Sequence, residues 1–213
     1  MIKLTIGDKE YNVPESWKDV NMEMYTKAFY NLGKTTPSMT NDEKVLITQR
    51  NEAKIISRLL GEKDDFALDL PLPLAIRLQE IIGFIYDIRP FMNNNVSYLK
   101  IDGVKYFMPA PNEMSLRQYI DTDMIMKEDK NPMQYVELLA ALLVPYNDKG
   151  ELEYDGKYQD RMEKIKKMNA QDALPFVYTF FKKKVLSKRI SQAFSKEEME
   201  EVIAQLRQHI QNS

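Results

Sequence analysis

LTIGDKEY (residues 4–11) and LKIDGVKY (residues 99–106) decide how this chain is to be read. In each, apolar and polar residues alternate on either side of a two-residue glycine–aspartate pair, which is the pattern of strand, tight turn and returning strand. Ile2, Leu4 and Ile6 fall on one face, and Tyr11 and Val13 continue it after Gly7 and Asp8. The second stretch repeats the first at a constant shift of 95 positions: Leu4 meets Leu99, Ile6 meets Ile101, Tyr11 meets Tyr106 and Pro14 meets Pro109. After a one-residue deletion, Val20, Asn21 and Met22 meet Met114, Ser115 and Leu116, and Tyr25 meets Tyr119. Further on, residues 55–60 resemble 138–143, and LPL at 72–74 resembles LPF at 174–176. Fixed spacing with matched proline and tyrosine predicts an internal duplication, with units at 1–90 and 96–186.

Between the hairpins the helical signals are plain. Asn21 caps a helix with the stripe Met22, Tyr25, Ala28, Phe29 and Leu32, closed by Gly33. A second helix is predicted over Asp42–Leu60 with Asn41 as its cap, and a third over Leu74–Ile88, stopped by Pro90. Another helix starts near Ala170. Beyond it, Ser195 and Glu198 form a capping box for a final helix over 195–211, whose narrow apolar stripe includes Met199, Val202, Ile203, Leu206 and Ile210. The expected fold class is therefore α+β and mostly helical: two diverged repeats, each a β-hairpin followed by helices, plus the C-terminal helix. A two-stranded hairpin is marginal alone, so the two hairpins are expected either to share one sheet in a compact domain or to head two small lobes.

Composition excludes several classes of chemistry. Cysteine is absent, which removes disulfides, thiolate metal sites and thiol nucleophiles. The 30 basic and 32 acidic side chains nearly cancel, so no whole-molecule field favours a polyanion. No phosphate-binding glycine motif occurs, and no cofactor is expected. His209 is the single histidine and has no neighbouring serine or carboxylate. The first 13 residues read as neither a signal nor a transit peptide, and the longest apolar run, 138–145, falls well short of the roughly 20 residues that span a bilayer.

Two groups of charged residues remain to be weighed. Asp64, Asp65 and Asp69, and Asp121, Asp123, Glu128 and Asp129, are the acidic clusters; neither has the spacing of a calcium loop, and Asp121 and Asp123 point to different faces of a helix. They leave a carboxylate-dependent metalloenzyme as one alternative. Lys182, Lys183, Lys184, Lys188 and Arg189, preceded by Lys164, Lys166 and Lys167 and flanked by Tyr178, Phe180 and Phe181, are the basic concentration. A nucleic-acid-binding accessory protein is the second alternative, although Phe176, Phe180 and Phe181 also read as a core stripe and lysines suit a helix C-terminus.

YLKIDGVKY (98–106), MSLRQYID (114–121) and the segment 138–150 resemble proteins of the tail and neck morphogenesis modules of tailed bacteriophages. In particular the chain is similar to small tail-assembly-chaperone-like proteins, which open with a hairpin and a helix start matched here by Ser115, Leu116, Gln118 and Tyr119. The resemblance implies a non-enzymatic protein that binds other virion or tail proteins, as an assembly chaperone or as a small structural component. It places the protein in the host cytoplasm during assembly or in the virion, with self-association open and no catalytic residues. Met199, Val202, Leu206 and Ile210 are the expected docking stripe, and Trp17 is a candidate anchor.

Overall fold

The computed structural model describes residues 1–92, 98–110, 113–128, 131–147 and 149–180. Strands β1 (Ile2–Ile6) and β2 (Lys9–Val13) pair antiparallel with Leu4 opposite Tyr11 and Ile6 opposite Lys9. Strands β3 (Leu99–Ile101) and β4 (Val104–Phe107) pair with Leu99 opposite Tyr106 and Ile101 opposite Val104. The two registers coincide under the 95-position shift. Their turns differ in chemistry. Gly7 alone takes positive φ (60°) in the first, whereas both Asp102 (49°) and Gly103 (84°) do in the second, and these are the two conformations that match strand twist in a two-residue hairpin.

The first unit continues with α1 (Met22–Phe29), α2 (Asn41–Leu59), α3 (Leu72–Ile82) and the short α4 (Arg89–Met92); the second with α5 (Leu116–Lys127), α6 (Gln134–Leu142), a short strand β5 (Val144–Pro145), α7 (Tyr158–Lys167) and α8 (170–180). Equivalent caps start α1 and α5: the Met24 amide donates to the Asn21 side chain at 2.8 Å and the Gln118 amide to Ser115 Oγ at 3.2 Å.

Several boundaries depart from the sequence reading. Thr40, not Asn41, caps α2, in a reciprocal capping box with Glu43. α1 stops short of Leu32 because Arg58 of α2 donates to the carbonyls of Lys27 (3.2 Å), Ala28 (3.4 Å) and Tyr30, satisfying the helix end there. α3 begins earlier than expected and tightens to a 3-10 turn at Gly83–Tyr86, while Pro90 sits inside the first turn of α4, where a missing N–H is tolerated. The proline pairing at 72–74 and 174–176 does not hold structurally: Pro73 lies in the first turn of its helix and Pro175 lies within α8.

The hairpins do not share a sheet. β1 and β2 form one sheet, and β3, β4 and β5 another. Separate lobes do not follow, because buried residues of both units form one cluster that runs from Tyr11, Val13 and Trp17 through Leu78 and Ile82 to Leu99, Ile101, Leu139 and the α8 residues Ala173, Leu174, Phe176 and Val177. Helix α8 joins the halves. Its Tyr178 hydroxyl lies 3.3 Å from that of Tyr25, and its ring stacks with Phe91 at 6.4 Å. A backbone strap completes the join: the Met22 amide donates to Met168 O (2.9 Å), the Ala170 amide to Val20 O (2.8 Å), and Asn169 Nδ2 to Lys18 O (2.9 Å).

Candidate protein-docking face

Helix α5 carries its polarity the wrong way round for a surface helix. Its inward face is Gln118, Thr122 and Ile125. Helix α6 ends at Leu142, so its last carbonyls need donors, and Gln118 Nε2 supplies them, reaching Ala141 O at 2.9 Å and Leu142 O at 3.1 Å. Thr122 Oγ1 turns back to the carbonyls of Gln118 (3.0 Å) and Tyr119 (2.9 Å). Ile125 joins an apolar cluster with Leu138, Ala141, Leu142 and Phe180, against which Met126 also packs. The outward face is apolar: Leu116 is 75% exposed, Tyr119 56%, Ile120 47% and Met124 66%. Those positions fall at helical spacing, so they form one continuous strip along the helix.

Of the charged residues of α5, Asp121 ties the helix to a neighbouring segment, while Asp123 and Lys127 pair with each other one and two turns beyond Tyr119, beside the strip. Asp121 accepts a 2.7 Å hydrogen bond from the Tyr154 hydroxyl, and burial followed by that bond pushes the Tyr154 phenol well up. Asp123 forms an ion pair with Lys127 at 2.6 Å. The two carboxylates therefore serve different neighbours. Asp64 is held by the Arg58 guanidinium fork at 2.7 Å on both oxygens, which keeps its carboxyl below the usual range. Asp65 precedes the short 3-10 turn Phe66–Asp69 and Asp69 is its last residue. Among the described residues no three acidic or histidine side chains converge. A cavity of about 480 Å³ between the end of α1 and the start of α6 is lined by Thr26, Asn51, Gln134 and Tyr135, with Lys34 as the one charged residue among the described lining residues. A second, of about 530 Å³, contains charges already paired: Lys27 with Glu23, Lys9 with Glu62, and Arg58 with Asp64.

Trp17 requires a correction. It is buried, with Phe91 (4.6 Å) and Phe84 (5.6 Å) edge-on to its ring and Tyr25 at 5.9 Å, so it plugs the core and offers no anchor to a partner. Of the basic residues, Lys164 pairs with Asp102 at 2.6 Å and Lys166 with Glu163. Lys182, Lys183, Lys184, Lys188 and Arg189, the stripe Met199, Val202, Leu206 and Ile210, and His209 lie outside the described residues, as does Asp129. Phe176 and Phe180 are buried, in line with the core reading of that stripe.

The matched tyrosines show how the units diverge. Tyr25 is buried, and desolvation followed by its contact with Tyr178 raises its pKa strongly; Tyr119, at the equivalent place, faces solvent. Met22 and Leu116 differ in the same way, one fully buried and the other the most exposed residue of the strip. The first unit's helix is covered by α8, and the outer face of the second unit's helix has no such cover among the described residues. No family model matches the chain, and neither the curated proteins nor the solved structures yield a significant match.

Proposed function

We propose that this chain is a non-enzymatic binding protein of phage morphogenesis, contacting other virion proteins as a tail-assembly chaperone or a small tail or neck component. The observation that carries the binding role is the reversed polarity of α5, because four large apolar side chains exposed together along one helix form the contiguous kind of patch that marks a contact site, unlike apolar residues exposed singly. Leu116, Tyr119, Ile120 and Met124 would seat in the partner's groove as a helix does, with residues at i, i+3, i+4 and i+8 as anchors. The phage assignment rests on the resemblance in residues 98–106 and 114–121.

The test is recovery of tagged protein from infected cells, comparing the native chain with the double variant Leu116→Lys, Met124→Glu. Identified tail or neck proteins should accompany the native chain and be lost with the variant, while far-UV circular dichroism and melting temperature stay unchanged. Recovery of the native chain alone throughout infection would refute the proposal.

A further inference from the structure

The outer face of the second sheet differs from that of the first in a way that folding does not require. In the first hairpin the outward positions are Lys3, Thr5, Glu10 and Asn12, all exposed, with Lys3 paired to Glu10 at 2.9 Å. Their equivalents at the 95-position shift are Tyr98, Lys100, Lys105 and Phe107. Lys100 stands directly opposite Lys105 in the β3–β4 register, an arrangement of like charges that weakens a strand pair. Neither lysine is in an ion pair among the described residues; Lys105 Nζ instead lies 4.5 Å from the centre of the Tyr98 ring. The aromatic row continues across the sheet, from Tyr98 to Phe107 at 5.8 Å and from Phe107 to Tyr146, just beyond β5, at 4.7 Å. One ring comes from each strand or its flank.

The sheet's own acids are turned away from this face. Tyr146 bridges to Leu152, so Glu151 and Glu153 on either side of Leu152 point to the opposite face, where Asn147 Nδ2 reaches them at 3.5 and 3.0 Å. Asp102, in the turn, is taken by Lys164. What remains is a strip of three partly exposed rings beside two cations, with no carboxylate among them in the described residues.

We infer that the outer face of the β3–β4–β5 sheet binds single-stranded nucleic acid, with bases stacking on Tyr98, Phe107 and Tyr146 and the phosphates meeting Lys100 and Lys105. Rings give sequence-tolerant stacking and lysines give the charge term, and the two are combined on sheet surfaces that hold unpaired strands. Stacking and charge attraction do not distinguish the two sugars, so DNA and RNA strands should bind alike. The surface is separate from the apolar strip of α5.

Fluorescence anisotropy with a labelled oligothymidylate and its oligouridylate counterpart tests this, using the full chain at low salt. Saturable binding is expected, falling with salt at a log–log slope of about −1.4 for two phosphate contacts. The variant Lys100→Thr, Lys105→Glu installs the first hairpin's residues at exposed positions and should weaken binding about tenfold or more and flatten the slope; Tyr146→Ala should weaken it by about fivefold or more through lost stacking. A duplex of the same length should bind less tightly than the single strand. Three results would overturn the inference: no saturation by the native chain, equal affinity for the duplex, or affinity kept in both variants but lost in Lys182→Glu, Lys183→Glu, Lys184→Glu.

Discussion

Replacing Asp155 by asparagine should destabilise the protein far more than an exposed acid would. Arg161 of α7 is 4% exposed; its Nη1 donates to both Asp155 oxygens at 2.9 and 2.8 Å, its Nε donates to Ala140 O at 3.2 Å, and its guanidinium lies 5.5 Å from the Tyr106 ring centre. Among the described residues its Nη2 has no hydrogen-bond partner and Asp155 is the one carboxylate paired with the buried cation. Removing one member of a buried pair costs about 3–5 kcal/mol because the other stays charged and desolvated. The Asp155 side chain is 32% exposed, so water can replace part of what is lost, and the lower end, about 3 kcal/mol, is expected. For a chain of this size that corresponds to a fall of roughly 6–12 °C in melting temperature. Arg161→Met together with Asp155→Asn removes the stranded cation and should recover most of the loss. Urea unfolding of the native chain, both single variants and the double variant closes the cycle. A cost below about 1 kcal/mol for Asp155→Asn, or a double variant no more stable than that single one, would refute the argument.

Three further outcomes follow from the same geometry. Gln118→Met keeps the volume but strands the Ala141 and Leu142 carbonyls, and should cost about 2–3 kcal/mol in denaturant unfolding, whereas Arg117→Met on the exposed face should change stability by less than about 0.5 kcal/mol. Burial pushes the Asp155 carboxyl up, but Arg161 and the Lys157 amide outweigh it, and the Arg58 fork lowers Asp64; both bind protons less readily folded than unfolded, so stability present above pH ~4 should fall as pH drops through the depressed values, and an acid titration followed by circular dichroism checks it. Tyr25 has the opposite sign: its raised pKa means that stability is complete below pH ~10 and is lost as the unfolded chain ionises above it, a loss that Tyr25→Phe should lessen.

The hairpins were readable because their turns must be built from residues that accept positive φ, and Gly7, Asp102 and Gly103 announce them. The cap Asn21 is readable because a short polar side chain before an apolar stripe can accept from the free helical amides, whereas at α2 both Thr40 and Asn41 qualify and the Glu43 partner three residues on decides for Thr40. The site was not readable from periodicity. Leu116, Tyr119, Ile120 and Met124 follow the rule for a buried stripe, and what inverts them is distant: α6 ends where the Gln118 amide of α5 turns inward to meet the Ala141 and Leu142 carbonyls. The burial of Trp17 is invisible to local pattern because the rings that enclose it, Phe84 and Phe91, lie 67 and 74 residues later in the chain. The strand β5 was hidden inside an apolar run in which helix and strand look alike. By contrast, the Tyr98, Lys100, Lys105 and Phe107 alternation was present in the sequence, and its meaning came only from comparison with the first hairpin's polar face.

The strap between the halves has a consequence for how the protein is made. Asn169 bonds a carbonyl 151 residues earlier, so at ordinary translation speeds the ribosome works for roughly 8–30 s between releasing the two partners. Throughout that interval Val20 and Met22, which the finished fold seals from solvent, have neither α8 nor the strap beside them. The amino-terminal half therefore leaves the ribosome with these apolar side chains uncovered until residues 168–180 emerge to close it.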